Sequence, residues 1–268
     1  MDLDGYVFVI TGAAQGIGAT TARTASQYGA TVMLSDVLDE PGLALAEEIN
    51  DNGGQAAYCH CDISNEDEVI NLMAVTAKEF GGIDVLHNNA GIHETQLTKS
   101  LDLETLDIQV FDQVLGVNLR GTFLASKAAV PYLKLSNNAS IISAGSIAGI
   151  IGYPMTLAYG TSKAGIILLT KAMAVDLAPH RIRSNCYCPG TIDTAMVSSF
   201  LEVADDPVAL EGFMMASHLV HRMGAPIDVA ELVCFLASKQ SSFINGQAIN
   251  IDGGSLSWRG TVDALGIE

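Results

Sequence analysis

Basic residues are what this chain has least of. Lys and Arg number 13 in 268 residues, against 30 Asp and Glu, for a formal net charge of −17. Charged residues make up 16% of the chain, against about a quarter in an ordinary domain, so the imbalance reflects missing cations. A general nucleic-acid binder, or a protein that lies on anionic membrane, needs a basic face, and this composition excludes both. The deficit is uneven. Residues 1–112 hold nineteen acids and three bases (Arg23, Lys78 and Lys99), a net of −16. The remainder nets −1.

Other absences narrow the class. No apolar run, Gly165–Leu169 included, approaches the roughly 18 residues of a membrane-spanning helix. The chain opens Met1-Asp2-Leu3-Asp4 with no basic, then apolar, leader, so a soluble cytoplasmic protein is expected. Low charge with 49% hydrophobic residues excludes disorder. The five cysteines, an odd count, suit reduced thiols. Cys59/Cys61 and Cys186/Cys188 could suggest zinc. Each pair lies in an alternating, strand-like run, however, where both thiols face one way as core, and no metal is expected. No repeat or linker divides the chain, and 1–268 is expected to be a single domain.

What is present is β–α alternation from end to end. Strands are predicted at 6–11, 31–35, 56–61, 85–88, 140–143, 182–188 and 247–251. Helices are predicted after the first glycine loop to about residue 28, at 41–52, from Ser64 as N-cap to 80, at 103–115, 122–134, 158–178 and 226–238. Residues 193–222 show no regular pattern. This order implies an α/β fold, a Rossmann-like doubly wound parallel sheet of seven strands with helices on both faces.

Thr11-Gly12-Ala13-Ala14-Gln15-Gly16-Ile17-Gly18 joins the first strand to the first helix. Glycines there permit a tight turn and close approach of a pyrophosphate to free helix N–H groups. An ordinary βα turn is the bland alternative. Asp36 follows the second strand, at the distance from Gly18 where an acid accepts hydrogen bonds from adenosine ribose hydroxyls. A 2′-phosphate carries about two negative charges and needs a cation. Arg23 is the only base ahead of Lys78, so NAD(H) is favoured over NADP(H).

Tyr159 and Lys163, four apart at a predicted helix start, share one face. A nearby cation favours phenolate, so Lys163 is expected to lower the Tyr159 pKa and fit it for proton transfer at an alcohol or ketone oxygen. Alone, such a pair is also a common surface arrangement. Ser146, just after the fifth strand and ahead of Tyr159, could hold the substrate oxygen; a turn serine, or Ser143 in its place, is the alternative.

Taken together, these motifs resemble the short-chain dehydrogenase/reductase family, in its short single-domain branch. The resemblance runs from Thr11 to Gly254. It rests on the glycine loop, Asp62-Ile63, Asn88-Asn89-Ala90-Gly91, Asn118 with Gly121, the Ser146/Tyr159/Lys163 spacing, Pro189-Gly190 with Ile192 and Thr194, and Asp252-Gly253-Gly254. It implies Tyr159 as general acid/base, Lys163 on the nicotinamide ribose, Ser146 on the substrate oxygen, and Asn118 holding a water in a proton relay. Cofactor binding would fall to Gly12, Gln15, Gly16, Ile17, Gly18, Asp36, Asp62, Ile63, Asn89, Ala90, Gly91, Tyr159, Lys163, Pro189, Gly190, Ile192 and Thr194. Asn88 would tie its strand to its neighbours.

The expected reaction is hydride transfer between NAD(H) and a secondary alcohol or ketone, hydrophobic and possibly cyclic. The rivals are an NADPH-dependent reductase of 3-oxoacyl thioesters, disfavoured by Asp36 and the missing cations, and a catalytically silent NAD-binding scaffold, disfavoured by the four catalytic positions. Candidate pocket residues are Met196, Phe200, Leu201, Phe213, Met214 and Met215, with His93, Glu94, Ile150, Tyr153 and Met155 near the motifs and Arg222 as the one cation. A Met-rich helix that is plain core is the alternative. The resemblance implies a homotetramer through the helices near 103–134 and 158–178 and the C-terminal elements. The tail 255–268 would pack on a neighbouring subunit or over its own pocket.

Overall fold

A computed structural model describes residues 1–258. The tail beyond Trp258, and the role expected of it, lies outside the described residues. β1 (Val7–Thr11), β2 (Thr31–Asp36), β3 (Gln55–His60), β4 (Val85–Asn88), β5 (Ser140–Ala144), β6 (Arg183–Pro189) and β7 (Ala248–Ile251) form one sheet in the order 3-2-1-4-5-6-7, and every pairing is parallel. The order reverses between β1 and β4, and that switch point opens a crevice at the carboxyl ends of the strands.

Both faces of the sheet are covered, and period-2 alternation sorts the side chains. Phe8, Ile10, Val32, Leu34 and Tyr187 point to one face, where they meet α1 (Gly16–Gln27), α2 (Asp39–Asp51) and α9 (Pro226–Ala237). Val9, Met33, Leu86 and Ile141 point to the other, against α3 (Glu66–Phe80), α5 (Gly121–Leu133) and the end of α6 (Leu157–Asp176). The five cysteines are free thiols, four of them buried, with Cys59 and Cys61 packed into the same cluster. No helix of the described residues is long and apolar enough to cross a membrane.

Three expectations need correction. Asn65, and not Ser64, caps α3: its side chain accepts the Asp67 N–H, because the Asp62 carboxylate already takes both the N–H and the hydroxyl of Ser64, at 2.9 and 2.7 Å. The helix expected from 103 starts only at Ile108, where the Asp107 carboxylate caps α4 (Ile108–Leu115). It then runs through a π-helical turn, Gly116–Arg120, straight into α5. The irregular stretch 193–222 contains two helices, α7 (Ala195–Val203) and α8 (Pro207–Ala216), the second started by Pro207 and capped by Asp206. Neither has a fully buried residue.

Candidate active site

The glycine loop leaves β1 at Thr11. The Thr11 hydroxyl oxygen accepts the N–H groups of Asn89 and Ala90 at 3.1 and 3.2 Å, and Asn89 Nδ2 donates to the carbonyls of Thr11 and Gly12 at 3.1 and 2.8 Å. These bonds staple the ends of β1 and β4 across the switch point. Gly12 sits at φ +63°, and a Cβ there would lie 2.7 Å from the Ala90 Cα. A Cβ on Gly18 would overlap the Gly12 carbonyl oxygen. Gln15 precedes α1 in extended conformation and offers it no side-chain cap, so the first N–H groups of α1 are free to meet an anion. The loop therefore fits a pyrophosphate held by backbone.

Asp36 ends β2 beside this loop. Its carboxylate accepts the N–H groups of Ala14, Val37 and Leu38 at 2.9, 2.8 and 3.1 Å, which leaves about one of its four lone pairs for a hydroxyl. Arg23 is committed elsewhere, to Glu48 of α2 in a two-point ion pair. Asp62 and Ile63 follow β3 on the same edge, with Ile63 buried against Gly121.

The four catalytic candidates converge from β5, α6 and the π-helical turn. Lys163 is one turn below Tyr159 on α6, its Nζ 5.3 Å from the Tyr159 ring centroid and donating to the Ala144 carbonyl at 2.8 Å. Asn118 is fully buried in the π-helical turn, accepting the Ile92 N–H and donating to Ile92 O and Ser162 Oγ at 2.8, 2.9 and 3.0 Å. Gly91 leaves room between them: its Cβ would come 3.3 Å from Asn118 Oδ1 and 3.5 Å from Lys163 Nζ. Ser146, not Ser143, is the serine whose hydroxyl acts on Tyr159, favouring the phenolate. Ser143 is buried and takes a bond from Asn88 Nδ2, which also reaches Ser126, so Asn88 ties its strand as expected.

Electrostatics correct one expectation. Burial pushes the Tyr159 hydroxyl up to about 12, helped by the Glu94 charge and opposed by Ser146. Burial also pushes Lys163 down to about 8. Removal from water dominates in the protein alone.

Tyr159 and Ser146 open onto a cavity of about 330 Å³. Pro189, Gly190, Ile192 and Thr194 form its β6 side, with Ile17 at the mouth of the glycine loop. Met196, Phe200, Phe213, Met214, Tyr153 and Met155 line it as expected; Leu201, Met215 and Ile150 do not. No charged side chain lines it among the described residues. Arg222 is turned away, in an ion pair with Asp228.

Two contacts have no local signature in the sequence. The buried His218 accepts the Thr191 N–H at Nε2 (3.1 Å) and contacts Met214 O through Nδ1 (2.7 Å), joining α8 to the loop after β6. Glu94, expected as a pocket residue, is buried behind Tyr159 and binds the backbone of α6.

A family model described as enoyl-(acyl carrier protein) reductase matches residues 12–255. The chain is 37% identical to a 3-oxoacyl-(acyl-carrier-protein) reductase of Thermotoga maritima, over 95% of this chain and 99% of the relative. It is 36% identical to a cis-4-hydroxycyclohexanecarboxylate dehydrogenase of Sinomonas cyclohexanicum, over 92% and 95%. A solved structure of a short-chain type dehydrogenase/reductase from Mycobacterium marinum superposes with a TM-score of 0.86 at 33% identity, covering 95% of this chain and 96% of that one.

Proposed function

The chain belongs to the short-chain dehydrogenase/reductase family, and from that premise we propose that it moves a hydride between NAD(H) and an apolar, cyclic secondary alcohol or its ketone. The cavity carries this reading: it is apolar, has no charged lining among the described residues, and ends on the Tyr159 hydroxyl. The similarity to a dehydrogenase of a hydroxycyclohexane carboxylate supports a cyclic substrate.

A nicotinamide cofactor supplies the acceptor or donor of the hydride and, when oxidised, a positive charge. The N–H groups at the start of α1 would hold its pyrophosphate, and Asp36 a ribose hydroxyl. Asp62 and Ile63 would flank its adenine. Asn89, Ala90, Gly91 and the 189–194 loop would line it, and Lys163 would bind its second ribose. Tyr159 takes the alcohol proton during oxidation and returns it during reduction. Ser146 donates to the same oxygen and orients it. Asn118, locked to Ile92, positions the water through which Lys163 exchanges protons with solvent.

Replacing Tyr159 by Phe removes the proton carrier and leaves the cavity. NADH formation from cyclic alcohols is expected to fall by about a hundredfold to ten-thousandfold. Near-wild-type turnover would remove Tyr159 from the mechanism. A second reading, an NADPH-dependent 3-oxoacyl-thioester reductase, is favoured by the 37% identity to the Thermotoga maritima enzyme. Turnover of acyl thioesters with NADPH, and none of cyclic alcohols with NAD⁺, would select it. A homotetramer is also proposed, through the exposed Phe123 of α5 and the exposed Leu168 and Val175 of α6. Light scattering of the purified protein tests it, and a monomer at working concentration would overturn it.

A further inference from the structure

Glu94 lies just beyond β4, 64 residues before Ala158 in the helix it serves. Its carboxylate is 1% exposed. Oε1 accepts the N–H of Ala158 at 2.9 Å and Oε2 the N–H of Tyr159 at 3.1 Å. Helix α6 needs this help. Thr156, in the N-cap position, makes no side-chain cap bond; its hydroxyl donates backward to the Tyr153 carbonyl. An acid from outside the helix therefore satisfies two of the four N–H groups that a helix start leaves open. The positive end of the helix dipole and these two bonds offset the cost of burying the charge.

The neighbouring residues do not neutralise it. His93 Nδ1 is 3.5 Å from Glu94 Oε2, but it accepts the Thr95 N–H at 3.1 Å, so its proton is on Nε2. The His93 ring packs on the rings of Tyr159 and Phe200, with centroids 4.6 and 4.3 Å apart. Thr95 Oγ1 meets Ser199 Oγ of α7 at 2.9 Å. Three consecutive residues thus grip the Tyr159 backbone, the Tyr159 ring and the helix that walls the cavity.

We propose that Glu94 is a positioning residue: it caps the start of α6 at the Tyr159 N–H, fixes Tyr159 in place and sets a buried negative charge against it. The inference rests on the acid/base role proposed above for Tyr159. The groups around that side chain are Glu94 and His93 after β4, Lys163 on the same helix, Ser146 after β5, and Tyr187 and Cys188 on β6. Lys163 Nζ lies 5.3 Å from the ring centroid, and the Ser146 hydroxyl favours the phenolate. Glu94 adds to the burial that keeps the hydroxyl protonated.

The test is Glu94→Gln, which keeps the size, removes the charge and leaves one of the two backbone N–H groups without an acceptor. Fluorotyrosine-labelled protein, followed by fluorine NMR, gives the Tyr159 titration directly at a pH below alkaline unfolding; Tyr159→Phe identifies the signal. The midpoint is expected to fall by about one pH unit, and the acid limb of kcat/KM for alcohol oxidation to move with it. The kcat is expected to drop about tenfold with KM little changed, because the cavity lining is untouched. A purely structural role would lower kcat and leave the midpoint in place, and that result would overturn the proposal. Should Glu94→Gln fail to fold, Glu94→Asp serves instead: the shorter side chain draws the charge back from Tyr159, so the midpoint falls by less than in Glu94→Gln while kcat also falls. An unchanged midpoint in that variant would equally overturn it. If Tyr159→Phe retains turnover, the proposed function falls; if Tyr159→Phe is inactive and the Glu94→Gln midpoint stays put, only this inference does.

Discussion

Glu48 holds the Arg23 guanidinium in two parallel hydrogen bonds, at 2.7 and 2.6 Å, linking α2 to α1. The one base ahead of Lys78 is therefore spoken for, and Asp36 stands beside the glycine loop without a cation. A 2′-phosphate at that carboxylate meets like charge and no partner. NAD(H) is expected to be preferred by about 3 kcal/mol, roughly a hundredfold in kcat/KM. Asp36→Ser combined with Val37→Arg is expected to reverse most of that preference. A cofactor titration in which wild type favours NADP(H) would refute the reading of Asp36.

The substrate wall gives a second expectation. Phe200 lines the cavity and packs on His93. Phe200→Ala removes apolar contact beside the reacting oxygen. The kcat/KM for cyclic alcohols is expected to fall by about 10- to 100-fold, with small alcohols affected least. Equal losses for large and small substrates would place Phe200 outside the binding surface.

Stability should depend on acid through two histidines. Burial pushes His87 and His93 down to about 3, whereas in the unfolded chain each titrates near 6.5. Between those values the unfolded chain binds more protons, so stability is lost as pH falls from about 6.5 toward 3. The slope reaches about 1.4 kcal/mol per pH unit for each histidine. His60, raised by the Asp39 carboxylate, contributes the opposite slope only above pH 6.5. Urea unfolding at a series of pH values between 6.5 and 4.5 measures the effect. A flat profile there would mean that both imidazoles are charged in the fold.

Gly12→Ala tests the cofactor loop. The added methyl would sit 2.7 Å from Ala90 Cα, at a φ of +63° that side chains rarely adopt. The loop must open away from β4, and NAD⁺ affinity is expected to drop at least about tenfold. Calorimetric titration with NAD⁺ reads it directly, and unchanged affinity would show that the loop has slack.

Motifs at the ends of strands were legible in the sequence because local chemistry fixes them. Gly12, Asp36, Asn89, Ser146 and the Tyr159/Lys163 pair each have a reason that a few neighbouring residues express. Strand placement was legible for the same cause: β–α alternation and apolar runs. Contacts made across the fold were not legible. Nothing near Glu94 says that it will cap α6, since its partners lie 64 and 65 residues away. The Tyr159 pKa was misjudged because spacing shows the nearby ammonium and hides the burial. Helices α7 and α8 were not legible because they face a cavity and solvent and bury no residue fully against the sheet.

The π-helical turn at Gly116–Arg120 makes chain length a functional quantity. A residue lost from this turn would let α4 and α5 close into one regular α-helix, a change that looks harmless in helix propensity. It would also rotate everything beyond it by about 100°. Asn118 would then leave the Ile92 backbone, or Ser126 would leave Asn88. The catalytic edge or the sheet would lose its tie, whichever side gave way. Outside Asn118, this segment should therefore tolerate substitution better than deletion.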